Sequence, residues 1–308
     1  MTSQSQEFLQ TFDALNGGVH PGYRPAHAKG IMLSGEFTPA PSASSLTRAP
    51  HIARLSTPVT VRLSDSTGIP NIPDNDPHAS PKGIAIRFHL AEHVHTDIIG
   101  HSLDGFPAST PEVFLQMLQA VAASGPDAAK PSPIEVFLGG HPSALEFVMA
   151  PKPVPTSFAR ENFFGVNAFK FTSKDGTERY GRYRIRPAAG TEYLDAAAAA
   201  AKSPNFLFDE MKERIAAGPV KFHVLLQLAE SGDIVDDATV HWPASRTEAA
   251  FGDVALTGVI PEDDTEARRV IFDPIPRVDG IEPSGDPLLD ARADLYLASG
   301  RRRRAAGK

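Results

Sequence analysis

A chain of 308 residues, 41% hydrophobic and 22% charged, is globular in composition and long enough for one large domain or two ordinary ones. Its 37 acidic against 30 basic residues leave a formal charge of −7, which argues against a protein built to grip phosphate backbones. The absence of cysteine excludes disulfide scaffolds, thiolate zinc sites, iron–sulfur clusters and cysteine nucleophiles, so demanding chemistry falls to His, Tyr, carboxylates, hydroxyls or a cofactor.

No stretch reaches the roughly 20 apolar residues that cross a bilayer. The opening Met1-Thr-Ser-Gln-Ser-Gln-Glu-Phe-Leu has neither a basic n-region nor an apolar h-region, so a cytoplasmic protein is the expectation. Within an N-terminal arm of residues 1–20, Phe8, Leu9, Phe12 and Leu15 recur at helical spacing and Asn16-Gly17-Gly18 stops them, predicting a helix over 7–15. Residues 19–56 are rich in Pro, Gly, Ser and His, with a strand at 30–37. Alternating runs at 59–64 and 83–90 flank a loop dense in Pro, Asn and Asp. Their period predicts one buried face and one polar face that does the work.

Helices are predicted at 111–123, with Val113, Phe114, Met117, Leu118 and Val121 on one side, and at 134–138 and 144–149. A hairpin joins 163–171 to 179–185 through Ser173-Lys-Asp-Gly176, a sequence suited to a turn. Helices at 196–201 and 206–217, a strand at 220–228 and a last helix at 288–298 follow, and the basic tail 301–308 reads as frayed. Many strands with inserted helices, and no regular βαβ alternation, argue for an antiparallel α+β design. No repeat or Ser/Gly linker divides the chain, so residues 1–308 are expected to form a single domain.

Several chemistries lack their motifs. There is no Gly-x-Gly-x-x-Gly after a strand, no Walker-type loop and no Gly-x-Ser-x-Gly elbow, and no His-x-x-x-His pair sits on a convincing helix, which leaves a zinc hydrolase unsupported. His27 lies between Arg24 and Lys29 just before a strand. Arg292 and Tyr296 are four residues apart and share a helix face. A guanidinium beside a phenol favours the phenolate, a hard anionic oxygen suited to ferric iron. Read alone, that pair is more simply an ordinary surface contact, and the arginines at 301–304 a solvated end.

Taken in chain order, however, nine segments resemble the haem catalases, most closely the short catalase-related peroxidases. They include Arg24-Pro-Ala-His27-Ala-Lys-Gly30, Thr57-Pro-Val-Thr-Val-Arg62-Leu-Ser64, Asp76-Pro-His-Ala-Ser-Pro81-Lys-Gly83-Ile-Ala-Ile-Arg-Phe88, Thr96-Asp-Ile-Ile-Gly100 and Gly165-Val-Asn-Ala-Phe169-Lys-Phe171. Asp236-Asp-Ala-Thr-Val-His-Trp242-Pro243, then Phe272-Asp-Pro and Gly280-Ile-Glu-Pro-Ser284, lead into Arg292-x-x-x-Tyr296. The resemblance implies an antiparallel eight-stranded β-barrel with helices packed outside it, enclosing haem.

It also implies roles. Tyr296 would be the proximal iron ligand, as is general for catalases, with Arg292 holding it as phenolate. His27 would be the distal acid–base residue and Ser64 would hydrogen-bond its ring. Arg24, Arg62 and Arg303 would clamp the propionates, and Phe106, Phe114 and Phe272 would lie near the cofactor. Two departures stand out. His101 occupies the place of the family's distal asparagine, and an imidazole can accept, donate or carry charge where an amide only donates from its nitrogen. The chain also stops shortly after the proximal helix, so the C-terminal extension of full-length catalases, with its tetramer contacts and dinucleotide site, is expected to be missing.

The implied activity is reduction of hydrogen peroxide or an organic hydroperoxide by a small organic electron donor, with weak catalase activity. Rearrangement of fatty-acid hydroperoxides, as in catalase-like allene oxide synthases, and non-catalytic haem storage are the alternatives. No nucleic acid and no membrane span are expected, and self-association as a homodimer stays open.

Overall fold

The alternation read from 30–37, 59–64 and 83–90 becomes three neighbouring antiparallel strands, β1 (Gly30–Pro39), β2 (Thr57–Ser64) and β3 (Gly83–Ala91). A computed structural model describes residues 2–261, 264 and 269–306. The remaining strands are β4 (Val94–His101), β5 (Phe163–Phe164), β6 (Phe169–Thr172), β7 (Glu178–Pro187), β8 (Val220–Leu228), β9 (Glu248–Val259) and β10 (Ile281–Pro283). Eight of them close an antiparallel barrel in the order β1–β2–β3–β4–β5–β7–β8–β9 and back to β1, while β6 and then β10 extend the sheet from β7.

Inward positions are apolar and fully buried, among them Leu33, Phe37, Val61, Leu63, Ile86 and Phe88. Rings from opposite walls meet. The Phe37 centroid lies 5.0 Å from Phe88 and 5.9 Å from Phe251, and Phe251 lies 5.6 Å from Tyr183 and 6.3 Å from Phe171. The interior is therefore a packed core, and polar chemistry on β1 to β4 is confined to the outer wall.

Helices cover that wall: α1 (Ser3–Leu15), α2 (Pro111–Ala122), α3 (Pro133–Gly140), α4 (Pro142–Met149), α5 (Ala196–Ala200), α6 (Phe206–Ala217) and α7 (Leu288–Ala306). α1 starts four residues before its predicted start because the Thr2 side chain accepts from Ser5 N and caps it. α7 corrects the expectation of a frayed tail. It continues eight residues past 298, since Arg302 pairs with Asp13 of α1 at 2.7 Å and Arg303 and Arg304 donate to the carbonyls of Val270 and Arg269. Residues 307 and 308 of that predicted tail, and Met1 of the arm, lie outside the described residues. None of the described helices is long and apolar enough to cross a membrane.

Two further differences have local causes. The predicted hairpin forms, with Gly176 at φ +84° and Asp175 accepting from Thr177 N, but its first arm is broken into β5 and β6. Between them residues 165–168 leave the ladder and carry Asn167 to α7. The strands β4, β9 and β10 add to the predicted elements. In β9, glycines at 252 and 258 and bulges against β1 and β8 interrupt the alternation.

Phe37 touches rings on two other strands, so Phe37→Ala is expected to cost about 3–5 kcal/mol. Urea denaturation checks this as a lowered midpoint with an unchanged slope.

Candidate active site

Across the outer wall, directly opposed residues form rows. Gly30, Ser64, Gly83 and His101 make one row; Met32, Arg62, Ala85 and Ile99 make the next. The two glycines are there for space. A methyl group on Gly30 would collide with the Arg62 guanidinium, and one on Gly83 would lie 2.7 Å from Ser64 Oγ and 2.8 Å from His27 Nδ1. The imidazole of His27 thus lies against Gly83, its Nδ1 3.1 Å from Ser64 Oγ. Nε2 of His27 makes no protein hydrogen bond among the described residues.

His27 sits in the loop before β1 with φ +58°, a strained conformation for a non-glycine residue. The backbone around it is pinned by Ala28 N to Thr67 O at 2.9 Å and Asp65 N to Lys29 O at 3.2 Å. Behind it is a buried ion cluster. Lys82 binds Asp65 at 2.6 Å and Lys29 binds Asp74 at 2.5 Å, and the other Asp74 oxygen accepts from Leu207 N. Burial pushes the Asp65 carboxyl upward against the pull of Lys82. Each of these charges but Asp74 is one or two residues from His27, Ser64 or Gly83, so the cluster fixes the backbones that carry the site.

The His27 imidazole is held uncharged, its pKa lowered to about 4 chiefly by burial, then by Arg62, Arg24 and Arg292, with a hydrogen bond to the Asp65 backbone opposing. A positive group converges there from distant parts of the chain. Arg24 and Arg303 both donate to the Val270 carbonyl at 3.1 Å, and Arg62 donates to Ala28 O at 3.1 Å. Burial and mutual repulsion lower Arg62 to about 9 and Arg24 well below its usual value, and burial with Arg304 lowers Arg303 to about 10. Neither Arg24 nor Arg62 forms an ion pair among the described residues.

On α7, positions 292, 296 and 303 fall within about 40° of one another at ~100° per residue. Arg292 Nη2 donates to Tyr296 Oη at 3.2 Å, and its Nη1 donates to Asn167 Oδ1. Asn167 in turn donates to Asp286 Oδ2 at 2.7 Å, and Asp286 Oδ1 accepts from Leu288 N at the start of α7. Burial pushes the Asp286 carboxyl up. Asn167 and Asp286 therefore orient Arg292 from outside its own helix. Asn167 lies within the Gly165–Phe171 motif, but nothing local marks this role, and Asp286 falls just outside the Gly280–Ser284 motif.

The aromatic candidates divide. The Phe106 and Phe114 rings meet at 4.8 Å, tilted by 54°, and Phe106 reaches Phe147 at 6.4 Å; the Phe147 ring is 6.4 Å from His101. The Phe272 ring, two residues after the Val270 carbonyl that Arg24 and Arg303 bind, lies 5.3 Å from the Arg87 guanidinium, which pairs with Asp97 at 2.7 Å. His27, His101, Phe106, Phe114, Arg292 and Tyr296 are all half-buried, a set of enclosed side chains that still face space.

This donor set fits haem. Three converging guanidiniums, two of them without ion-pair partners, suit two propionates; a phenol beside a guanidinium suits ferric iron; and a neutral imidazole stands on the barrel wall.

The chain matches the family model described as Catalase over residues 9–307. It is 35% identical over 295 residues to "Catalase-related peroxidase" of Mycolicibacterium paratuberculosis, covering 94% of this chain and 92% of that protein. A protein of the same name from Synechococcus elongatus is 31% identical over 296 residues, covering 94% and 86%. A solved fungal catalase superposes with a TM-score of 0.80 at 22% identity, over 96% of this chain and 62% of the fungal one. The chain belongs to the catalase family.

Removing a positive neighbour favours the protonated form of an imidazole. Arg62→Gln is therefore expected to raise the His27 titration midpoint from about 4 toward 6.5, read by NMR of the ring protons; an unchanged midpoint contradicts the electrostatic account.

Proposed function

We propose that the protein is a haem-dependent peroxidase that reduces hydrogen peroxide or organic hydroperoxides with electrons from a small organic donor, with peroxide dismutation as a minor activity. The observation that carries this is the convergence of Arg24, Arg62 and Arg303 beside Arg292-held Tyr296 and uncharged His27. Two relatives of similar length that bear the name catalase-related peroxidase support it.

In this reading Tyr296 ligates the iron, Arg24, Arg62 and Arg303 hold the propionates, and Phe106 and Phe114 shield the cofactor. Bound haem would supply the redox chemistry of O–O cleavage. His27 supplies the proton chemistry. Its free Nε2 removes the proton from one peroxide oxygen and returns it to the other, which departs as water from hydrogen peroxide or as an alcohol from an organic hydroperoxide. Because burial and three guanidiniums keep the ring uncharged, that base is available throughout the neutral range. Ser64 and Gly83 set the ring's orientation, the first by a hydrogen bond and the second by leaving room. Two one-electron donors and two protons complete the balance, reducing one peroxide to two waters, or to water and an alcohol.

His27→Asn, which tolerates a positive φ, is expected to slow the peroxide step by roughly 10²–10⁴ while haem stays bound, measured by stopped-flow absorbance. Wild-type rates should fall only as pH drops toward about 4, where His27 takes up a proton. An acid limb near 6.5, or an unaltered rate in His27→Asn, removes His27 from this role. Tyr296→Phe should abolish the tyrosinate-type absorption spectrum; a preserved spectrum refutes the ligand assignment.

A further inference from the structure

The second histidine of the wall has a defined hydrogen-bonding state. His101 closes β4 directly opposite Gly83, against which the His27 ring lies. The backbone N–H of Leu103 points at His101 Nδ1 at 3.3 Å. A neutral imidazole carries one hydrogen, so a nitrogen that accepts leaves that hydrogen on the other. Nε2 of His101 is therefore the N–H, and it is buried with no protein partner among the described residues. An unmet buried donor is costly and marks a place for a ligand. Groups facing the ring are His27, Arg292 and the edge-on ring of Phe147. Burial, then the two polar neighbours, lower its pKa to about 3, so the imidazole stays uncharged.

We propose that His101 is a second distal residue whose ring is locked in the Nε2–H tautomer by Leu103 and donates that N–H to an oxygen of the bound peroxide. It transfers no proton. His27 moves the proton and His101 orients the substrate, so of the three behaviours open to an imidazole here the Leu103 N–H leaves donation alone. The ligand half of this inference rests on the haem peroxidase reading; the tautomer half does not.

Two measurements test it. Nitrogen-15 NMR of the His101 ring is taken with the protein carrying diamagnetic zinc protoporphyrin, or as isolated if it takes up none. The expected pattern is protonated Nε2 and bare Nδ1, unchanged from pH 5 to 8; an Nδ1–H tautomer or a titration in that range overturns the proposal. Fluoride binding to the ferric haem protein, followed by absorbance, reads donation to a small bound anion. His101→Leu should raise the fluoride dissociation constant roughly ten- to hundredfold, the scale of a hydrogen bond to a charged acceptor, and His101→Gln should recover most of it. Unchanged fluoride affinity in His101→Leu rejects the donor role. Failure of the wild-type protein to take up haem instead rejects the cofactor reading and leaves the NMR result to judge the tautomer.

Discussion

Alternation along the strands divides this protein into two chemistries. On β1 to β4 every second side chain enters an interior where aromatic rings from several walls already touch, and density of that kind admits no cofactor. Polar groups are left the outer wall, where cross-strand pairing arranges them in rows. In the row Gly30–Ser64–Gly83–His101 the glycines are required by the approach of neighbours, since a side chain at 30 displaces Arg62 and one at 83 displaces His27. Neither glycine is needed for an unusual backbone angle. His27 is the residue that carries the strain, at φ +58°.

Two charge systems meet behind and in front of that row. Lys29, Asp65, Asp74 and Lys82 balance one another in the buried cluster and tie the loop of His27 to the ends of β2 and β3. Arg24, Arg62 and Arg303 repel one another, and the carbonyls they bind at 3.1 Å carry only partial charge. Buried charge is costly unless paired; the first system balances itself, whereas Arg24 and Arg62 form no ion pair among the described residues. Burial, with Arg62 and Arg24 of the second system and Arg292, keeps His27 uncharged.

Helix α7 joins the two sides of the site because its polar stripe has partners along its whole length. Asn167 and Asp286 hold Arg292, Tyr296 lies one turn on, and Arg303 reaches the Val270 carbonyl shared with Arg24. The close packing of Gly300 against Ile271 lets the helix approach that segment. Arginines that look like a solvated end in sequence are thus structural, with Arg302 bound to α1 and Arg303 buried.

Local features were legible from the residues alone. The period-2 runs of β1, β2, β3 and β8, the helical periods of α2 and α6, the turn at Ser173–Gly176, and the i, i+4 pairing of Arg292 with Tyr296 all depend on neighbours within a few positions. The ordered segments likewise brought together most of the candidate site, from Arg24 and His27 to Tyr296 and Arg303. Partners far apart in the chain carry no such signal. Asn167 meets Arg292 across 125 positions, β9 is bulged and interrupted by glycine, and β5 is two residues long. Phe272 stands beside Arg87 for the same reason: its neighbours are chosen by the packing of distant segments. The sequence by itself determined which side chains could do chemistry and which strand face would carry them. Only the tertiary structure decided their states, because the charge on His27 depends on its burial and on guanidiniums from two other segments, and the tautomer of His101 depends on the direction of one backbone N–H.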